Sequence, residues 1–376
     1  MRIPIAKPYL TEEEAQNAFD TVLSGWVTQG PKVAEFEEKF ANYVGSKYAV
    51  AVSNCTTALH LAMLVAGVAE GDEVICPSMS YVATANCIRY VGANPIFAEV
   101  NEEYNLDIQD VKAKITSKTK AILLVHQIGM PADIDVFRIL CNEKGLVLIE
   151  DAACATGSSY QSGKIGSHSD LVCFSFHPRK VITTGDGGMV ATSNEDYNNR
   201  LRLLRQHAMS VNDRVRHESK KVIQEDHLEL AYNYRLTDIQ AAVGIKQLEK
   251  LDWIIEERRK IAKNYLIQLA DIPSIRLPKE REGYFSNYQS FSIYIDENCT
   301  KERDEIMQIL LDKGVATRRG IMTSHRETAY KYLDLKGRLP QTEDLSDRSL
   351  LIPLYVGLTE EEQQYVIDQI RAVLCA

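Results

Sequence analysis

Between residues 48 and 193, short apolar runs alternate with stretches whose apolar residues recur every three or four positions. The runs at 48–52, 73–76, 95–98, 121–126, 146–150, 171–175 and 189–191 are rich in Val and Ile, and several are continuously apolar. A strand without a wet face belongs in a sheet covered on both sides. The segments 58–65, 83–90 and 134–143 carry helical spacing instead. Strand–helix alternation of this kind predicts an α/β fold built on a mainly parallel sheet with helices on both faces. It also predicts where a ligand gathers, which is beyond the carboxyl ends of the strands.

Near residue 235 the pattern changes. Residues 238–259 read as one long helix rich in Gln, Leu, Glu and Lys, and 290–295 alternate like a strand with one wet face. Residues 301–313 and 360–374 read as amphipathic helices. The expectation is a smaller C-terminal α+β domain with its boundary in the range 245–260. This divides the chain into a large domain, 1–250, with an N-terminal arm, and a small domain, 251–376. A length of 376 residues agrees, since it exceeds what one ordinary core organises. There is no internal repeat or low-complexity tract.

Composition narrows the partners. The net charge is −9, with 43 Lys and Arg against 52 Asp and Glu and no long basic run, which argues against nucleic acid. The first eight residues lack the apolar stretch of a signal peptide, and no run approaches a membrane span. Cysteines stand at 55, 76, 87, 141, 154, 173, 299 and 375, none as a C-x-x-C pair. Reduced thiols in the cytoplasm are expected, with no zinc site and no disulfide framework.

Candidate chemistry collects at three strand ends. Asp151 follows Leu146-Val-Leu-Ile-Glu150; a carboxylate there suits a pyridinium nitrogen, although Asp equally serves as a helix cap or turn residue. Ser175-Phe-His-Pro-Arg-Lys180 leads into Thr183-Thr-Gly-Asp-Gly-Gly188, and brings Ser175 and Lys180 to the same edge. A lysine amine in that place suits a Schiff base with an aldehyde cofactor. Ser53-Asn-Cys-Thr-Thr57 precedes a helix opening near Thr56, either as a phosphate site or as a plain N-cap. Tyr81, beyond the strand at 73–76, is placed to stack on a ring or simply to pack.

Together these residues resemble the DegT/DnrJ/EryC1/StrS family of pyridoxal 5′-phosphate (PLP) dependent nucleotide-sugar aminotransferases. The likeness covers nearly the whole chain. It rests on Trp26-Val-Thr-Gln-Gly-Pro31, Pro77-Ser-Met-Ser-Tyr-Val-Ala-Thr84, Ile149-Glu-Asp-Ala-Ala153, the Lys180 motif with its glycine-rich sequel, Asn233-Tyr-Arg-Leu-Thr-Asp238 and Thr317-Arg-Arg319 with His325. The resemblance implies a fold-type I aminotransferase with PLP as cofactor. Lys180 is then the Schiff-base lysine and Asp151 the partner of the ring nitrogen. Tyr81 stacks on the ring, while Ser175, Thr56 and the Cys55 backbone hold the phosphate. Asn233 reaches the phosphate of a neighbouring subunit, so a homodimer with shared sites is implied. Trp26, Thr28, Arg318, Arg319 and His325 fall in stretches like the family's substrate-contacting regions, and arginine forks suit a pyrophosphate.

The implied reaction is ping-pong transfer of an amino group, with L-glutamate as donor and a nucleotide-linked keto-sugar, such as a 4-keto-6-deoxy sugar, as acceptor. Two positions depart from the family pattern. Cys55 stands where many members carry Gly, and Cys154 stands where many carry His or Gln beside the cofactor's O3′. A thiol is a weak hydrogen-bond partner, so Cys154 reads best as a small buried apolar residue. Two other readings keep the cofactor. A sugar dehydratase of the same fold places His where this chain has Lys180. A PLP-binding regulator without turnover would want a basic DNA-binding face that this acidic chain lacks.

Overall fold

In a computed structural model of the chain, residues 2–211, 222 and 224–375 are described. Nine strands fall between residues 48 and 192: β1 (Tyr48–Val52), β2 (Glu73–Pro77), β3 (Asn94–Ala98), β4 (Thr119–Val125), β5 (Val147–Asp151), the short pair β6 (Ser159–Tyr160) and β7 (Gly163–Lys164), β8 (Val172–Ser175) and β9 (Gly188–Thr192). Seven of them form one sheet in the order β1-β9-β8-β5-β4-β2-β3. The pairs from β3 through β2, β4 and β5 to β8 are parallel. Only β9 runs against its neighbours, β8 and β1. The carboxyl ends of β1, β2, β4, β5 and β8 therefore emerge at one edge, and β9 starts there.

The continuously apolar runs have a simple cause. Successive side chains of a strand point to opposite faces, and each face has its own core. Ile122, Leu124, Val172 and Phe174 pack with Phe36, Phe40 and Phe137 from the helices Pro31–Val44 and Ile134–Lys144. Ala121, Leu123, Ile149 and Cys173 pack with Leu59, Leu61 and Met63 from the helix Cys55–Val65. Gly45 and Gly145 end two of these helices in the left-handed conformation, at φ 79° and 67°, which a residue without a Cβ adopts freely.

The C-terminal part departs from the sequence reading in two places. The expected single helix over 238–259 is two, Asp238–Glu249 and Leu251–Gln268, meeting at Lys250. The Lys250 ammonium reaches Glu14 at 3.0 Å, and Gln247 donates to the same carboxylate at 2.9 Å, so the break is tied to the N-terminal helix Glu12–Leu23. Apolar spacing runs across the joint and hides it.

The second departure concerns the wet face. Beyond the helices lie β10 (Ile275–Arg276), β11 (Tyr284–Phe285), which joins β6, β12 (Phe291–Ile295), β13 (Arg318–Arg319) and β14 (Ser349–Ile352). A second sheet takes the order β10-β12-β14-β13, antiparallel throughout. Every position of β12 is buried. Ile293 and Ile295 face the helices Arg303–Asp312 and Glu360–Leu374 through Ile306, Leu310 and Val366. The more polar face, with Ser292 and Tyr294, is covered by Tyr104, whose hydroxyl lies 3.3 Å from Ser292 Oγ. Ile3 also belongs to this second core, paired with Val315. No helix among the described residues is long and apolar enough to cross a membrane.

Phe40 lies between Phe174 and Phe176, with ring centroids 5.0 and 5.5 Å away, and is fully buried. Its truncation to Ala leaves a cavity beneath the strand that carries Ser175. Phe40→Ala is expected to cost about 3–5 kcal/mol, read as a lower denaturant midpoint at unchanged m-value.

Candidate active site

The edge where the carboxyl ends converge opens into a cavity of about 490 Å³. Its floor is made by strand ends and the turns that follow them. Its other wall comes from the second sheet, through Arg318, Arg319 and Leu351, and from Gln289 and Ser290, which lead into β12.

Asp151 closes the inner end. It is the last residue of β5 and is 5 % exposed. One carboxylate oxygen accepts from Thr84 Oγ1 at 2.8 Å, and the other from the Ala153 amide at 3.1 Å. Thr84 Oγ1 lies 2.7 Å from Ser80 Oγ. Because Thr84 donates to the carboxylate, Ser80 donates to Thr84. Burial pushes the Asp151 carboxyl above its usual range, against the pull of these hydrogen bonds and of Lys180.

Lys180 faces the same cavity. The loop that carries it is closed at its root, where Phe176 N donates to Gly187 O and Phe176 O accepts from Thr184 N and from Thr183 Oγ1, at 2.9, 3.0 and 2.8 Å. The amine lies 3.2 Å from Cys154 Sγ. Burial works against the ammonium, but the Cys154 sulfur and the Asp151 carboxylate outweigh it and hold the Lys180 pKa above the usual lysine value. Cys154 is thus not the buried apolar residue expected from the sequence. It is only partly buried, on the cavity wall, because the turn after β5 directs its thiol at the lysine rather than into the core.

The third wall is a helix start. Asn54 caps the helix Cys55–Val65 by accepting from Thr57 N at 2.9 Å, which leaves the Cys55 and Thr56 amides without an intrahelical acceptor. The helix therefore opens one residue before the expected Thr56. Cys55, Thr56 and Ser175 all border the cavity, and Tyr81, 65 % exposed, stands over it. Burial pushes the Cys55 thiol well up, so it stays protonated.

Six expected site residues stand apart from this cluster or differ in kind. Arg318 and Arg319 reach the cavity from β13, both exposed. Trp26 and Thr28 do not line it: the Trp26 indole packs over Gly30, where an added Cβ would fall 1.7 Å from Nε1, and the Thr28 carbonyl accepts from Asp238 N at 3.0 Å. Nor does His325, which is buried between Ser78 and Glu343. Asn233 is exposed, bridged to Gln206 and away from the cavity of its own chain.

The sequence reading missed Ser80 and Thr84, although both lie in the Pro77–Thr84 string. Hydroxyls four residues apart at a helix start were a usable signal. Asn287 carries none. It is fully buried and donates to the carbonyls of Cys154 and Thr156, both at 2.9 Å, so the second sheet's approach strand holds the Cys154 turn in place.

A buried carboxylate, an amine and a helix N-terminus around one cleft fit an aldehyde cofactor with a basic ring nitrogen and a phosphate. That is the class of site found in PLP enzymes of this α/β architecture. The DegT/DnrJ/EryC1/StrS aminotransferase family matches residues 8–371, and the chain belongs to that family. It is an aminotransferase, and its cofactor is PLP. The chain is 37% identical to a GDP-perosamine synthase of Vibrio cholerae over 98% of either protein. Among solved structures it is similar to the putative sugar aminotransferase Spr1654 of Streptococcus pneumoniae in its PMP form, with TM-score 0.94 and 28% identity over 99% of each chain. It is also similar to the aminotransferase TlmJ of Streptoalloteichus hindustanus, with TM-score 0.91 and 32% identity over 99% of each.

Gly188 opens β9 against this helix start. A Cβ there would lie 2.4 Å from the Asn54 carbonyl carbon and 2.7 Å from Cys55 N, so Gly188→Ala must push the helix start aside. The variant is expected to bind PLP about tenfold more weakly, roughly 1.4 kcal/mol, in an equilibrium titration of the cofactor-free protein.

Proposed function

We propose that the chain moves an amino group from L-glutamate onto the keto carbon of a nucleotide-linked sugar, with a GDP-linked 4-keto-6-deoxy sugar as the preferred acceptor. The observation that carries this reading is the meeting of Lys180 and Asp151 at one cavity, beside an open helix N-terminus. The relative that makes GDP-perosamine supports the acceptor class, and the sugar aminotransferase among the structural neighbours supports it too.

In this reading the Cys55 and Thr56 amides, Thr56 Oγ1 and Ser175 Oγ hold the phosphate, and Tyr81 offers its exposed face to the ring. Bound PLP supplies an electron sink for the charge left when a proton leaves the carbon that bears nitrogen. Asp151 holds a proton on the ring nitrogen, and the hydroxyls of Ser80 and Thr84 keep its carboxylate turned toward the ring. The Lys180 amine would hold the cofactor through its aldehyde carbon. The freed amine would carry the proton that leaves the donor's Cα, and in the second half of the reaction would deliver one to the sugar carbon. Donor and acceptor use the same site in turn, so the kinetics are ping-pong. A lysine at position 180 favours amine transfer over the dehydratase reading, which needs a residue that does not hold the cofactor.

The acceptor's diphosphate would lie toward Arg318 and Arg319. Among the described residues Arg318 has no carboxylate within ion-pair distance, and Arg319 has only Glu327 at 3.4 Å, so both forks stay open to phosphate oxygens. The ligand would then lie between two domains, 1–250 and 251–376. We further read the active unit as a homodimer in the cytoplasm, with Asn233 reaching the phosphate of the other subunit. Exposed Phe19, Val22 and Leu23 on the helix Glu12–Leu23 support an apolar interface.

Two experiments test this. A panel of nucleotide keto-sugars is offered to protein converted with L-glutamate to the pyridoxamine form; a GDP-linked 4-keto-6-deoxy sugar should restore the original visible band fastest, and full turnover by Lys180→Ala would end the reading. The second uses pH. The folded Lys180 pKa is raised, so at neutral pH the amine is protonated and cannot capture an aldehyde. The rate of PLP capture by cofactor-free protein should therefore rise with pH, and Cys154→Ala, which removes a group that holds the proton, should move that rise to lower pH in stopped-flow absorbance.

A further inference from the structure

The turn that carries Tyr81 is gripped from two sides. From the large unit, Gln127 Nε2 donates to Met79 O. From the small unit, Ser324 N donates to Ser78 O at 2.7 Å, and Met79 pairs with Thr323 in an antiparallel bridge. His325 completes the grip. Its backbone N–H donates to Ser78 Oγ at 3.2 Å, and its Nδ1 lies 2.5 Å from the same oxygen. Ser78 is fully buried and His325 is 3 % exposed, so neither meets solvent.

The protons in this contact follow from its partners. His325 Nε2 lies 3.2 Å from Glu343 Oε1, whose carboxylate also takes Arg326 at 2.8 Å and the Gly337 amide at 2.6 Å. A carboxylate so surrounded only accepts, so Nε2 carries the ring proton. Nδ1 of the neutral ring then accepts the Ser78 hydroxyl. Burial holds the imidazole pKa down, which keeps the ring neutral. Ser78 Oγ both donates and accepts, and the turn has no freedom to swing. Two residues on, Ser80 starts the relay through Thr84 to Asp151, with steps of 2.7 and 2.8 Å.

We infer that His325 is a positioning residue: through Ser78 it fixes the turn 78–81, and so sets where Tyr81 and the Ser80–Thr84–Asp151 relay meet the cofactor ring. The resemblance placed His325 among substrate contacts, but its ring is spent on Ser78 and Glu343 behind the turn. The inference rests on the proposed seat of the ring between Tyr81 and Asp151.

The test compares wild type with Ser78→Ala, His325→Ala, His325→Asn, His325→Gln and the Ser78→Ala/His325→Ala double variant, all loaded with PLP. The readouts are the PLP Kd, the visible circular dichroism per bound cofactor and the KM for the amino acceptor. Each single Ala variant should raise the PLP Kd about tenfold and alter the visible dichroism, and the double variant should be no worse than the singles, because both remove one contact. Asn, whose amide oxygen falls near the Nδ1 position, should restore both values; Gln, which imitates Nε2, should not. Unchanged PLP Kd and dichroism with a raised acceptor KM would overturn the inference and make His325 a substrate contact. If His325→Ala fails to fold, Ser78→Ala, which removes one hydroxyl, decides by the same criteria. A wild type that takes up no PLP would overturn the underlying reading and this inference with it, whereas loaded wild type with unaltered Ser78→Ala overturns the inference alone.

Discussion

One buried negative charge organises this molecule. The Asp151 carboxylate sits at the end of a central strand, where burial of an ionised group without compensation costs several kcal/mol. It is answered by one hydroxyl relay, one amide and the electrostatic pull of an amine on the adjacent strand's loop. None of these lies in a single element. Thr84 comes after β2, Ala153 after β5 and Lys180 after β8. The charge is tolerable only because parallel strands deliver their ends to one place, so the sheet's topology and the site's electrostatics are one constraint. In the proposed reading, what remains unanswered in the carboxylate is what would hold a protonated ring nitrogen.

The reversal at β9 serves the same edge. An all-parallel sheet would carry the chain after Ser175 back across a face of the sheet to the far edge before the next strand. Here the chain turns back within the Lys180 loop, and β9 begins beside the helix start that Asn54 caps. Backbone approaches backbone so closely that only glycine fits at 188. The lysine loop and the open amides of the helix start are thereby held together by main chain, which tolerates no slack.

What the sequence made legible follows from how far apart the interacting residues lie. Runs such as 121–126 and 146–150 could be read as strands because periodicity is local, and Asp151 and Lys180 could be placed at one edge because parallel topology fixes which ends converge. The wet face expected for 290–295 is covered by Tyr104, nearly two hundred residues earlier, and no local pattern records that. The joint at Lys250 is invisible for the same reason, since its partners Glu14 and Thr11 lie at the other end of the chain. His325 and Cys154 show a subtler limit. One stands in a stretch that matches the family and the other directly after one, yet matching a string fixes neither the direction of a side chain nor its exposure. One ring turns inward to Ser78, and one thiol turns outward to the lysine.

A second buried charge shows how the small unit holds its side of the cleft. Arg258 is 6 % exposed and has no carboxylate partner among the described residues; burial pulls its pKa down to about 10. Its guanidinium instead donates to the carbonyls of Tyr288, Gln289 and Leu354, at 2.9, 2.6 and 3.3 Å. Tyr288 has φ 46°, a strained value for a residue with a large side chain. Gln289 and Leu354 line the cavity, and Gln289 Nε2 donates to the carbonyl of Arg179, next to Lys180, at 2.8 Å. A fork that satisfies three carbonyls at once can hold a strained turn that one neutral donor could not. The cation therefore does on the small unit what the carboxylate does on the large one. Each is a costly buried charge whose hydrogen bonds gather distant pieces of chain at the same cavity, and the geometry around Lys180 depends on both.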